Sequence, residues 1–350
     1  MSHLTFGEAG IVGLLQGITE LFPVSSLGHA VLIPALVGGS WAQDLNVPKP
    51  ESPYLAFIVG MHVATAIAMI AYFWRDWLRI IAAFFASIKH AIVPQPGTYR
   101  FQPQTTDQQL AWMIILATIP VGIAGIALEH LFRTKLSKPE PAAIFLFVNG
   151  LILLAGEWRR RRLVSTEAAQ LAADEAAIAD RQRAAVAVGG ARAASMGGGG
   201  RHSAGQRALK QHEASLAVQA DERLARQGFL GAFVLGTMQI LALLPGISRD
   251  GIVMVSGLFR GLTRQDAARF SFLLSAPVIL AAGVLKLGDL FGPLGNGVRG
   301  QILFGSILAG VGAYLALRVL VRYLSDSTRT LTPFAIYCLL MGLGSAIYLA

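Results

Sequence analysis

Two short polar clusters lie inside apolar stretches of this chain, and their residue types could move a phosphoryl group. The first, QGITELFPVSSLGH, runs from Gln16 to His29. Gln16 and Glu20 are four residues apart, so on a helix they share a face, and Ser25, Ser26 and His29 follow within a turn broken by Pro23 and Gly28. One small pocket is expected to hold all five. The second, PGISRDG, places Gly246, Ser248, Arg249 and Asp250 at the start of a new helical run. An arginine beside freed backbone N–H groups at a helix N-terminus suits an anion with several oxygens, and its planar fork matches phosphate. A hydroxyl, a carboxylate, an imidazole and a guanidinium supply a nucleophile, a proton carrier and positive charge for the transferring oxygens. The blander reading is that Arg249 pairs with Asp250 or Glu20 and only locks the two tips together.

The elements that must carry these clusters are set by composition. Of 350 residues, 54% are hydrophobic and only 14% charged, where a soluble domain carries about 25% charged residues. The mean hydropathy is +0.57. This describes a polytopic membrane protein, and an ionisable residue such as Glu20 within it is costly enough to imply function. The net charge of +9 comes with no aromatic-interleaved basic patch, so nucleic acid is not expected as a partner. Membrane insertion itself uses basic loops. The single cysteine, Cys338, lies in an apolar run and says nothing of redox compartment. No basic leader with a small-residue cleavage site opens the chain, so a cleaved signal peptide is not expected.

Apolar windows near the roughly 20 residues that cross a bilayer occur at about 54–73, 109–128, 141–156, 270–288, 301–321 and 332–350. The regions 6–39 and 229–262 are too long for one crossing and are broken centrally at the two polar clusters. Irregular backbone at membrane depth survives only where protein or a wet cavity surrounds it, so both read as re-entrant helix–loop–helix hairpins. ELFPVSS and ALLPGIS share the plan of two apolar residues and then Pro-x-x-Ser, and three spans follow each. The expected fold is therefore all-α, with six transmembrane helices and two hairpins in an inverted-topology repeat whose tips meet. The first repeat covers 1–156 and the second 229–350. Between them, 157–228 opens with Arg159, Arg160, Arg161 and Arg162 and is rich in Ala and Gly. It reads as a cytoplasmic insertion of two solvated helices, about 164–188 and 206–226, dispensable for chemistry. Arg75, Arg79, Lys89, Arg100, Arg260, Arg264, Arg322 and Arg329 fall on one side, taken as cytoplasmic. Lys49, Arg133, Lys135, Lys138 and Arg299 fall on the other, toward which the first hairpin opens.

QGITELFPVSSLGH and PGISRDG, with HVATAIAMIAYFWRDW from His62, LATIPVGIAGIALE from Leu116 and GLTRQDAARFSFLLSAP from Gly261, resemble the undecaprenyl-diphosphate phosphatases of the bacitracin-resistance type. The resemblance covers both repeats and omits 157–228. It implies a phosphatase of the bacterial cytoplasmic (inner) membrane that removes the terminal phosphate of a polyprenyl diphosphate carrier on the outer side, with a divalent cation, Mg or Ca. Membrane lipids are its surroundings, and a homodimer is an assembly open to it. Carried over, Gln16 and Glu20 form the acidic motif and the metal ligands, Ser25, Ser26 and His29 the nucleophile-bearing motif, and Ser248 with Arg249 the phosphate-binding tip, with Gly246 and Asp250 beside them. Ser26 is the favoured nucleophile, its proton going to His29 or Glu20; direct attack by His29 is the alternative. Two positions depart from the family pattern. Gln16 is neutral where Glu is also found, and Asp250 replaces the usual Ser, which would weaken phosphate binding or add a metal ligand. A lipid-phosphate flippase or secondary transporter is the competing function, since inverted repeats with broken helices are also a transporter plan.

Overall fold

The computed structural model describes residues 4–45, 53–93, 102–131, 135–186, 219–286 and 297–350, and within them there are helices and no strands. The first hairpin is α1 (Phe6–Leu21) and α2 (Ser26–Val37), followed by the short α3 (Gly39–Asp44). Then come α4 (Pro53–Tyr72), α5 (Trp74–Ile92), α6 (Thr106–Leu131) and α7 (Pro139–Val186). The second hairpin is α8 (Gly228–Met238), a 3₁₀ turn (Gln239–Leu243) and α9 (Arg249–Phe259). The chain ends with α10 (Arg264–Leu285), α11 (Arg299–Ser325) and α12 (Thr332–Leu349).

Local chemistry starts these helices where the sequence places their caps. The Thr5 hydroxyl accepts from the Glu8 N–H at 3.2 Å while the Glu8 carboxylate accepts from the Thr5 N–H at 2.8 Å, closing a capping box on α1. Ser25, Ser248 and Thr263 cap α2, α9 and α10 through their hydroxyls. Five helices among the described residues are long and apolar enough to span a membrane: Thr106–Leu128, Pro139–Thr166, Arg264–Leu285, Arg299–Ser325 and Thr332–Leu349. The sixth expected span is α4.

Packing follows an internal two-fold relation. In the first hairpin α1 packs on α11, the middle span of the second half; in the second hairpin α8 packs on α6, the middle span of the first. The third spans, α7 and α12, pack on each other, as do the first spans, α4 and α10. Small residues allow these approaches, because lipid provides no hydrophobic drive between helices and close van der Waals contact must do the work. At Gly17 a Cβ would collide with the Ala309 carbonyl of α11. Leu303, Val319, Leu340 and Ile347 stay exposed on the outside of α11 and α12, as lipid-facing residues should.

Three features differ from the sequence reading. The basic residues after α4 read as loop charges in the sequence, but Trp74–Ile92 forms α5, bent 85° from the preceding helix. Its Leu78, Ile81, Phe85 and Ile92 are exposed on one side, the pattern of a helix lying in a membrane interface. At the start of the inserted segment, α7 runs unbroken from Pro139 through the arginine cluster to Val186, so no break separates span from insertion. At its end, Gln219–Ala225 is helical and packed rather than solvated. Asp221 is 1% exposed and pairs with Arg79 at 2.5 Å and Arg269 at 3.1 Å, and Arg223 pairs with Asp266 at 2.6 Å. Arg79 also meets Asp76 and Asp107, and Arg269 meets Asp76, so α5, α6, α10 and this segment share one ionic cluster. Alternation of Ala with charge looked solvated because sequence cannot show that each carboxylate has a guanidinium opposite. Residues 187–218, including the Gly-rich linker and most of the second expected helix, lie outside the described residues, as do Lys49, Arg100 and Arg133.

Candidate active site

The two hairpin tips meet in the interior, and polar contacts from Ser25, Asn149 and the Arg249–Glu20 pair hold them together. Ser25, the one described non-glycine residue with positive φ (68°), turns its hydroxyl to accept from the Gly28 N–H at 3.3 Å and from the Gly246 N–H of the opposite tip at 3.1 Å. Asn149, fully buried on α7, donates to the Pro23 carbonyl at 2.9 Å and accepts from the Ser248 N–H at 3.0 Å, so one amide pins both tips. Gly246 has φ of 115°, and a Cβ there would lie 2.5 Å from the Ala142 carbonyl oxygen, so both backbone shape and space demand glycine.

Around Glu20 the pinned tips assemble a compact polar cluster. One carboxylate oxygen, Oε1, accepts from Arg249 at 2.6 Å across the two hairpins. The other, Oε2, accepts from the Ser26 hydroxyl and from the Gln16 amide, the latter at 2.9 Å. His62 on α4 completes the group, its Nε2 lying 3.2 Å from the Gln16 amide nitrogen and 3.5 Å from Glu20 Oε2. Its Nδ1 faces the Ile58 carbonyl at 2.8 Å. A carbonyl only accepts, so Nδ1 carries the hydrogen and Nε2 presents its lone pair to the amide. Glu20, Ser25, Ser26, His62, Ser248 and Arg249 line a cavity of about 290 Å³, with Gln239 and Lys286 also in its wall. The remaining wall is apolar, from residues such as Val121, Leu243, Val278 and Ala282. A larger groove of about 740 Å³ lies on the far side of α4, but apart from Arg299, Ser306 and Tyr314 it is lined by apolar residues and glycines.

The structure does not bring all nine sequence candidates to this cavity in the same way. Gln16, Glu20, Ser26 and Arg249 are in mutual contact through Glu20. Ser25 and Gly246 are engaged with each other, and the Ser248 hydroxyl accepts from the Gly251 N–H at 3.1 Å as the cap of α9; these three shape the tips. His29 turns away from Glu20, its Nδ1 donating to the Ser25 carbonyl at 2.7 Å and its Nε2 accepting from the Tyr337 hydroxyl at 2.7 Å. Asp250 points from the tip toward α10, where Ser271 and Ser275 donate to Oδ1 at 2.8 and 2.6 Å. Its Oδ1 is 3.9 Å from Arg249 Nε, and its Oδ2 is buried without a hydrogen-bond partner. Of the first five candidates the cavity thus takes Glu20, Ser25 and Ser26, whereas Gln16 reaches it only through Glu20 and His29 lies outside it, so the expectation of one pocket for all five fails for Gln16 and His29. Positions three apart on a short helix point to different neighbours once α12 packs against it.

Sequence reasoning gave no role to His62, Asn149 or Lys286. The signal for Asn149 was present, since an amide inside the apolar run IFLFVNGLILLAG needs a reason. His62 stood inside a stretch quoted for its resemblance alone, 42 residues from Glu20 in sequence.

The sequence matches the family described as bacitracin resistance protein BacA over residues 9–201 and 204–344. The chain belongs to the BacA family. Among BacA relatives, it is 53% identical to the undecaprenyl-diphosphatase of Mycolicibacterium paratuberculosis, covering 100% of this chain and 99% of that protein. It is 51% identical to undecaprenyl-diphosphatase 2 of Frankia alni, over 98% of this chain and 97% of the relative. A more distant match, at 34% identity over 98% and 96%, is the undecaprenyl-diphosphatase of Granulibacter bethesdensis.

Proposed function

We propose that this protein is an undecaprenyl-diphosphate phosphatase, which releases inorganic phosphate and leaves undecaprenyl phosphate, the recycled lipid carrier of cell-wall synthesis, and so confers bacitracin resistance. The observation that carries the mechanism is the bond from the Ser26 hydroxyl to Glu20, whose other oxygen is held by Arg249 from the opposite hairpin. Ser26 Oγ attacks the terminal phosphorus as its proton passes to Glu20. The bridging P–O bond breaks, and polyprenyl phosphate leaves as an anion. Water then attacks the phosphoserine; Glu20 returns the proton to Ser26 Oγ as it departs, and the hydrogens of the water leave with inorganic phosphate. Arg249 exchanges Glu20 for the phosphoryl oxygens, where its paired N–H donors strengthen as charge spreads. Both ring nitrogens of His29 already have partners, which favours Ser26 as the nucleophile.

Mg or Ca is the cation we assign to the reaction. Among the described residues no three His, Cys, Asp or Glu side chains gather as a metal cage, and Glu20 is the single carboxylate lining the cavity. That donor set fits a hard cation carried mainly by the two phosphates, with Glu20 and Gln16 as its protein ligands. Bound there, the cation would neutralise phosphate charge. We assign the chain to the bacterial inner membrane, where its lipid substrate is recycled, and the basic-loop asymmetry supports a cavity that opens outward. The exposed apolar flanks of α11 and α12 are open to lipid or to a second copy.

Phosphate release from a prenyl diphosphate by the purified protein in detergent, with no membrane and no gradient, tests the reading. A carrier using the same fold would bind the lipid and release nothing.

A further inference from the structure

The reaction proposed above presents two phosphates to the cavity, yet Arg249 is matched to one of them and enters already paired with Glu20. A prenyl diphosphate carries about three negative charges near neutral pH, because the second ionisation of a terminal phosphate lies near pH 6. One guanidinium leaves most of that charge unmet in a wall that is otherwise largely apolar. The cavity wall contains a second basic side chain, Lys286.

The fold puts Lys286 at the depth of the chemistry rather than at a distant rim. Helix α10 ends at Leu285 and Lys286 is its C-cap. One turn earlier, Gly283 lies so close to α4 that a Cβ would stand 2.5 Å from Val63 Cγ2. Val63 is the neighbour of His62, which touches Gln16 and lies beside Glu20. Three residues of helix advance about 4.5 Å, so Lys286 stands within one turn of the level of His62. On α10 the cavity-lining positions are Val278, Ile279, Ala282, Gly283 and Lys286. They form one helical stripe that is apolar until its last residue. A lysine at a helix C-terminus is also favoured there by the helix dipole.

We infer that Lys286 is the ligand of the second phosphate, the one that stays on the prenyl chain, and that its ammonium stabilises the negative charge arriving on that phosphate when the bridging bond breaks. Arg249 holds the phosphoryl group being transferred, and Lys286 holds the leaving group. The pair therefore measures a diphosphate: a monophosphate can engage one cation at a time. This inference rests on the phosphatase reading, deepening it at the same site.

Inorganic pyrophosphate and inorganic phosphate serve as the two probes, scored as inhibitors of prenyl-diphosphate hydrolysis by the full-length protein in detergent. Activity of the unaltered protein tests the phosphatase reading first and separately. In Lys286→Met, pyrophosphate should inhibit at least about tenfold more weakly while phosphate inhibition stays within about twofold, since only the diphosphate spans both cations and loses a charge-assisted contact. The same variant should raise KM and lower kcat for the prenyl diphosphate, and Lys286→Arg, which keeps a cation, should recover most of both. Equal loss of pyrophosphate and phosphate inhibition, or no loss of either, would overturn the assignment. So would a Lys286→Arg variant as impaired as Lys286→Met at unchanged melting temperature. If Lys286→Met fails to fold, protection of the native protein's Lys286 from amine acylation by pyrophosphate but not by phosphate decides the same point, and equal protection by both overturns it.

Discussion

Replacing Asn149 with leucine should disable the enzyme without touching a reacting group. Its amide makes two backbone hydrogen bonds, to the Pro23 carbonyl at 2.9 Å and from the Ser248 N–H at 3.0 Å, and it is fully buried. Leucine has the same branched outline but satisfies neither group. Each buried backbone group left without a partner costs about 1–3 kcal/mol, so the two together predict a loss of about 2–6 kcal/mol. The tips would relieve this by shifting apart, which moves Ser26 and Arg249 relative to each other, because Pro23 and Ser248 lie within three residues of them. A displacement of about 1 Å at a reacting centre costs about a hundredfold in rate. Asn149→Asp makes a sharper comparison: an aspartate oxygen still accepts from Ser248 but faces the Pro23 carbonyl acceptor to acceptor, so one tip stays pinned and the other is repelled. Melting in detergent and phosphate release are measured on the same preparations. A leucine variant that melts within about 1 °C of the native protein and keeps more than half its turnover would refute the pinning argument.

Glu20→Gln should lower kcat by about 10²–10⁴-fold, the usual scale of a positioned proton acceptor, while lipid binding persists; near-native phosphate release would remove Glu20 from the mechanism. Arg249→Lys keeps charge but loses the two-pronged geometry, and the loss of about 3–4 kcal/mol of transition-state stabilisation should slow the reaction by two to three powers of ten. Arg249→Ala with and without Glu20→Gln, scored for melting alone because Glu20→Gln already removes the proton acceptor, measures the tip lock: recovery of stability in the double variant gives the share of the Arg249→Ala loss that comes from leaving the Glu20 carboxylate buried and unpaired. Asp221→Ala, away from the cavity, leaves Arg79 and Arg269 with Asp76 to share and Asp107 beside Arg79, and should lower stability by about 1–3 kcal/mol as two charge-assisted contacts are lost. Its KM should be unchanged, and a variant that melts normally would show the ionic cluster to be dispensable.

Much of the architecture was legible before any coordinates. Spans are legible because the bilayer sets a length near 20 residues and forbids unpaired backbone, and the six expected windows fall within α4, α6, α7, α10, α11 and α12, apart from a few terminal residues. The hairpins were legible for the same reason in reverse, as apolar stretches interrupted where a lipid-exposed chain could not be. Glu20 and Arg249 stood out because each is expensive in such surroundings, and Ser26 only through its nearness to Glu20. The amphipathic α5 was missed because its charges balance its apolar face, and a span search registers only the average.

What the sequence determined by itself was which residues would have to find polar partners; what the tertiary structure decided was who those partners are. Glu20 keeps Gln16 and Ser26 of its own hairpin on one oxygen, as local spacing favoured, but Arg249, 229 residues away, rather than His29 takes the other, and His62 arrives from α4. His29 is claimed by Tyr337 of the last helix, and Asp250 by two serines of α10. Hydrogen bonds are short-range and directional, so membership of the site depends on angstrom-scale placement by helices that meet only in the folded chain. Periodicity fixes the face of a helix that carries a residue; the packing of one repeat against the other fixes what that face meets.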